Sequence, residues 1–113
     1  YRLAVATGKS RAGLNRALLQ TCVSHYFEAT RTADETASKP DPLMLFELMQ
    51  ECNVTAQRVL MIGDTTHDLK MAKAAGVQSA AVSSGAHPEE QLRTYETFAH
   101  VPSVVDLAKL LIN

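Results

Sequence analysis

Several things are scarce in this 113-residue sequence, and each shortage narrows the chemistry. No apolar run approaches the ~20 residues that a membrane-spanning helix needs, so no membrane partner is expected. Neither sign of charge predominates. Eleven Lys+Arg face twelve Asp+Glu, for a formal net charge of -1, which argues against nucleic acid as a bulk partner. Cysteine is scarce too. Cys22 and Cys52 lie far apart inside apolar, helix-patterned segments. They are therefore expected to be buried, reduced thiols of a cytoplasmic protein rather than a disulfide. No leader-like segment is visible, but the chain opens on Tyr1 rather than Met, so that observation carries little weight. There is no internal repeat, low-complexity segment or linker.

What is present reads as an ordinary globular domain or part of one: 46% of residues are hydrophobic and 20% charged, which excludes a disordered chain. Apolar runs alternate with helical patterns. "LAVA" (residues 3–6) reads as a buried strand, followed by a helix in which Leu14, Leu18 and Cys22 repeat every four residues behind Ser10 as N-cap. "YFEATRT" is a second strand candidate and "ADETASKPDP" a loop. Asp41 is placed to cap a largely buried helix, "PLMLFELMQEC", with Pro42 in its first position. "RVLMIG" predicts a further strand, "THDLKMAKAA" a helix ended by left-handed Gly76, and "QSAAVSSG" another strand. Pro88 is expected to open a short helix and Ser103 to cap a last one. Strands alternating with such helices imply a parallel sheet covered on both faces, with functional residues beyond the carboxyl ends of the strands.

Three polar landmarks fall at such places. "ATGKS" (6–10) tempts a phosphate-cradling P-loop reading, but the pattern demands a glycine where Leu3 stands. What survives is a hydroxyl at Thr7, a flexible Gly8 and a helix N-terminus whose amides and dipole favour an anion. In "SKPDP" (38–42), prolines stiffen the loop that carries Lys39, a potential fixed positive charge; a solvated surface lysine is the plainer reading. In "GDTTHD" (63–68), Asp64 and Asp68 stand four residues apart at the end of a strand and can converge on a hard divalent cation such as Mg²⁺. Alternatively, Asp64 or Thr65 caps the helix and Asp68 favours its positive first turn. His67 is expected to face solvent, and His25, His87 and His100 share no ligand spacing with it.

In order and spacing, Thr7, Lys39-Pro40 and Gly63-Asp64-x-x-x-Asp68 resemble the second to fourth motifs of the haloacid dehalogenase-like hydrolases, the phosphoglycolate-phosphatase-like branch in particular. The likeness runs from Leu3 to about Gly85. It implies an α/β fold, a Rossmann-like three-layer sandwich with a parallel sheet. It also implies that residues 1–113 form part of such a core domain, and that the whole acts as a Mg²⁺-dependent phosphatase on a small phosphorylated metabolite through an aspartyl-phosphate. By the same resemblance, Thr7 and the Gly8 backbone bind the transferring phosphoryl group and Lys39 offsets charge on phosphate and nucleophile. Asp64 binds Mg²⁺ directly, and Asp68 acts through metal-bound water or supports that shell. One departure is serious. The first motif, DxDx[TV], which supplies the nucleophile, occurs nowhere; "TADET" and "KPDPL" lack the second aspartate. The family's central first strand and any cap are therefore expected to be absent, the chain catalytically silent alone, and the exposed sheet covered in a homodimer or swapped assembly. Two other readings compete: a non-catalytic interaction module that keeps the fold, and a phosphoacceptor receiver domain, whose aspartates should precede rather than follow the Thr and Lys.

Overall fold

The computed structural model describes residues 1–83, 92 and 96–112. The chain divides into two compact units, residues 1–55 and 56–113.

The first unit begins with β1 (Leu3–Thr7), α1 (Arg11–Thr21) and β2 (Phe27–Thr32), and closes with α2 (Leu43–Cys52). β1 and β2 are parallel, so a crossover must join them, and α1 provides it. Their register runs from Leu3 opposite Phe27 to Thr7 opposite Thr32, so both strands finish level. Leu14, Ala29, Met44, Leu45 and Leu48 form the buried apolar set of this unit. The Ser10 hydroxyl caps α1 by accepting the Gly13 N–H at 3.1 Å, as its position suggested.

Three expectations are corrected in this unit. α2 starts one residue late: Pro42 is its cap residue, while the Asp41 carboxylate takes the Leu43 N–H at 2.9 Å. Nor is α2 largely buried: Leu43 and Phe46 are exposed, and only Met44, Leu45 and Leu48 are fully in the core. Finally, Cys22 is exposed: it stands one residue past α1 with φ 57°, in the left-handed cap conformation. Cys52 is half-buried, and desolvation pushes its thiol pKa up, aided by Glu28. Both thiols are free.

The second unit contains β3 (Leu60–Gly63), α3 (Thr66–Ala75), β4 (Gln78–Val82), β5 (Ala99–Val101) and, last, the helix of residues Val104–Ile112, here α4. All three strands are parallel, in the order β3-β4-β5. β4 lies between two neighbours, and Ser79 to Val82 are buried, which suits the small, mostly apolar residues of that run. Successive side chains of a strand point to opposite faces. Ala80 and Val82 accordingly pack with Val101 and Leu107 of α4, whereas Ala81 packs with Leu69 of α3 and with Leu92. Both faces of β4 are covered, giving the three-layer arrangement. Gly76 ends α3 with φ 72°, and Ser103 caps α4 through the Asp106 N–H. The helix expected at Pro88 lies outside the described residues.

The architecture is thus α/β and Rossmann-like, with its parallel strands in two separate sheets. β1 and β3 each pair with a single strand among the described residues, and each carries an exposed apolar residue, Leu3 at 45% and Ile62 at 41%. No described helix is long and apolar enough to cross a membrane.

Candidate active site

In the first unit, Thr7 is the last residue of β1 and is half-buried. Its Oγ1 accepts the Lys9 N–H at 3.2 Å. A hydroxyl has one proton and two lone pairs, so this bond leaves the Thr7 proton available for another acceptor. Gly8 follows, exposed, and a Cβ built there would meet nothing within 4 Å. Internal packing therefore does not demand glycine at this point, and the backbone stands open to approach. Lys39 is half-buried in the loop between β2 and α2, next to a cis peptide bond to Pro40. The Asp41 N–H closes that loop onto the Ser38 carbonyl at 3.1 Å. Thr7 thus ends β1, and Lys39 lies in the loop that leaves β2, its parallel partner.

The second unit carries the acidic pair. Asp64 directly follows β3, is half-buried, and has no hydrogen-bond or ion-pair partner among the described residues. Asp68 is different: it is 3% exposed and built into the turn. Its Oδ2 accepts from the Thr65 N–H at 3.3 Å and from the Thr65 hydroxyl at 3.0 Å, while its own N–H donates to Thr65 Oγ1 at 3.2 Å. This reciprocal capping box satisfies amides that the first turn of α3 would otherwise leave open. The geometry requires Gly63. A Cβ there would stand 2.2 Å from the Asp68 Cβ and 2.8 Å from its Oδ2. Glycine lets the helix lie close against the strand end, and so fixes where Asp64 sits. His67 is exposed, as its place in the first turn suggested.

Mg²⁺ binds through one or two carboxylates and keeps several waters. A half-buried carboxylate without a partner among the described residues, four positions before a second one held by its own turn, fits that ion. Among the described residues, no group of three or more His, Cys, Asp or Glu comes together, so nothing resembles a closed all-protein cage. A cavity of about 620 Å³ in this unit is lined by Lys73, Gln78, Ser79, Glu96 and Phe98, among others. Gln78 and Ser79 begin β4, so the cavity opens at the amino end of the sheet, away from Asp64.

Sequence reasoning missed one cluster. Asp34, noticed there only as part of a failed DxD pattern, accepts the Arg11 N–H with both carboxylate oxygens. No spacing or periodicity signals that contact, which spans more than twenty residues.

Comparison with known proteins places these elements in context. The family model of the haloacid dehalogenase-like hydrolases matches residues 1–82. The chain is 40% identical over 97 residues to "Probable phosphatase IndB" of Dickeya dadantii, covering 85% of this chain and 42% of that protein. It is 32% identical over 96 residues to a phosphoglycolate phosphatase of Colwellia psychrerythraea, with 84% and 42% covered. Among solved structures, a haloacid dehalogenase-like family hydrolase from Streptococcus pneumoniae superposes with a TM-score of 0.89 at 18% identity. That match covers 98% of this chain and 52% of the other, and at such identity it speaks for the fold alone. The chain spans about half the length of the relatives it matches or less.

Proposed function

The chain belongs to the haloacid dehalogenase-like hydrolases, and from that premise we propose that it supplies the phosphate-binding and metal-binding parts of a Mg²⁺-dependent phosphatase. The substrate class is a small phosphomonoester such as phosphoglycolate. The observation that carries this reading is Asp64: a half-buried carboxylate, unpartnered among the described residues, at the end of a parallel strand.

The Thr7 hydroxyl and the Gly8 amide bind oxygens of the transferring phosphoryl group, and Lys39 balances its charge. Asp64 and Asp68 would hold the metal, which supplies charge neutralisation and substrate orientation when bound. Asp68 contributes chiefly by fixing the turn. The need for positive charge is quantitative: a like-charge contact near ~4 Å costs about 4 kcal/mol at an effective dielectric of ~20. A phosphate dianion beside these carboxylates would therefore be repelled without a cation and a lysine. With them, the site complements the charge of the reacting group.

The nucleophile is an aspartate that becomes transiently phosphorylated, and it belongs to the DxD motif that these 113 residues do not contain. Residues 1–113 alone are accordingly catalytically silent and act only with the nucleophile-bearing segment; a homodimer or swapped assembly of these residues would cover the exposed sheet without restoring the nucleophile. The protein works in the cytoplasm.

Hydrolysis of p-nitrophenyl phosphate by the full-length gene product and by the 113-residue chain tests this proposal. Mg²⁺-dependent turnover by the former and none by the latter is expected. Absence of turnover by the full-length protein at any Mg²⁺ concentration overturns the phosphatase reading, and robust turnover by the shorter chain overturns the assignment of the nucleophile.

A further inference from the structure

The turn from β1 into α1 is tied to the turn that follows β2 by contacts the proposed chemistry does not use. Asp34 Oδ1 and Oδ2 accept the Arg11 N–H at 3.0 and 3.2 Å. One residue earlier, the Ala33 N–H donates to the Lys9 carbonyl at 3.3 Å. The Arg11 guanidinium reaches back to the Thr30 hydroxyl at 2.8 Å, the Thr30 carbonyl at 3.3 Å and Glu35 Oε1 at 2.6 Å. Beneath them lies Thr32, fully buried, whose hydroxyl faces Asp34 Oδ1 at 2.5 Å and Glu35 Oε1 at 2.9 Å. A hydroxyl has only one proton to give, and the shorter contact assigns it to Asp34, while Glu35 is held mainly by the Arg11 guanidinium.

The consequence concerns Thr7, Gly8 and Lys9. Residues 7–11 leave the strand and enter the helix with no local capping box, because Ser10 caps alone. The Lys9 carbonyl and the Arg11 amide are both fixed from outside by residues 33 and 34. The Lys9 amide in turn fixes the Thr7 hydroxyl. We propose that Asp34, anchored by Thr32, is a positioning residue that holds the Thr7–Gly8 segment in its phosphoryl-binding geometry. This proposal rests on the phosphatase reading above for the meaning of that segment, but not for the existence of the strut. The Thr32 hydroxyl and the Arg11 amide also hold the Asp34 carboxyl below its ordinary pKa, so it is charged at neutral pH.

The test uses the full-length gene product with p-nitrophenyl phosphate. A misplacement of about 1 Å at a reacting group can cost about a hundredfold in rate. Asp34→Ala should therefore lower kcat at least about tenfold while KM changes less than about threefold and the Mg²⁺ half-activation concentration stays put. Asp34→Asn keeps one acceptor oxygen for the Arg11 amide and should recover most of the loss. Equal kcat for Asp34→Ala and wild type, or failure of Asp34→Asn to improve on Asp34→Ala, overturns the proposal. If Asp34→Ala does not fold, Thr32→Val takes its place: a lowered kcat supports the strut and an unchanged kcat overturns it. If the wild-type protein hydrolyses no phosphomonoester, the phosphatase reading falls separately. Amide exchange at Lys9 and Arg11 then decides: faster exchange in Asp34→Ala than in wild type supports the strut, and unchanged exchange sinks it.

Discussion

Each unit turns from a parallel strand into a helix behind a hydroxyl cap, at residues 7–11 in the first and 63–66 in the second. The two turns are fastened at different range. Gly63 to Asp68 is closed by its own residues, with Thr65 and Asp68 exchanging hydrogen bonds three positions apart. Thr7 to Arg11 is closed by Ala33 and Asp34, which arrive from the end of another strand. A locally closed turn forms as soon as its helix does, whereas the other needs the β1–β2 pairing first, with the loop-closure entropy that implies. The acidic turn is thus self-contained, and the turn proposed to bind phosphate depends on tertiary structure.

The largest effect that can sharpen this contrast is expected at Asp64. Asp64→Asn in the full-length protein removes the charge proposed to bind the metal, and kcat on p-nitrophenyl phosphate should fall about a thousandfold or more. The loss should be only partly relieved by raising Mg²⁺. Next comes Thr7→Val, expected to cost about 10²–10³ in kcat through one lost donor, with Thr7→Ser close to wild type. Third is a pair of stability measurements by urea denaturation. Gly63→Ala must push Asp68 aside and should destabilise by about 1–3 kcal/mol, whereas Gly8→Ala, with open space around it, should stay within about 0.5 kcal/mol. Similar values at the two glycines would break the comparison.

The smallest effect is one of pH. Asp34 has a lowered pKa in the folded protein, owing first to the Thr32 hydroxyl and then to the Arg11 amide. A depressed folded pKa means that the unfolded chain takes up the proton more readily, so the stabilisation is complete above the ordinary Asp range and fades as pH falls through the folded value. Arg11 amide exchange, followed from neutral pH downward, should therefore accelerate beyond its intrinsic pH dependence only in the acid range below about 4. Glu35 moves in the same direction, through Arg11 first and Thr32 second. Loss of Arg11 protection already near neutral pH would contradict the assignment.

The same contrast explains what could be read from the sequence. "THDLKMAKAA" and Gly76 were legible to the residue, because cap, apolar repeat and glycine stop all lie within a dozen positions. The parallel α/β plan was equally legible from the alternation of short apolar runs with helices. β5 was not: Ala99–Val101 is three residues long and lacks a pattern of its own, becoming a strand only by pairing with β4. Cys22 was expected inside α1, but the helix stops at Thr21, and the left-handed cap turns that side chain to solvent. Thr7, Lys39, Asp64 and Asp68 were visible as types of residue at strand ends. Asp34 was invisible because its proposed role depends on a partner twenty-three positions away.

The close approach at Gly63 couples two positions that any directed-evolution library would treat as independent. A residue with a Cβ at 63 is compatible with the helix only if position 68 gives up the volume its carboxylate now fills. Selection for folded, soluble variants from a library randomised at both sites should therefore return linked pairs, with larger residues at 63 accompanied by smaller ones at 68. Such survivors would keep the fold while surrendering the second acid.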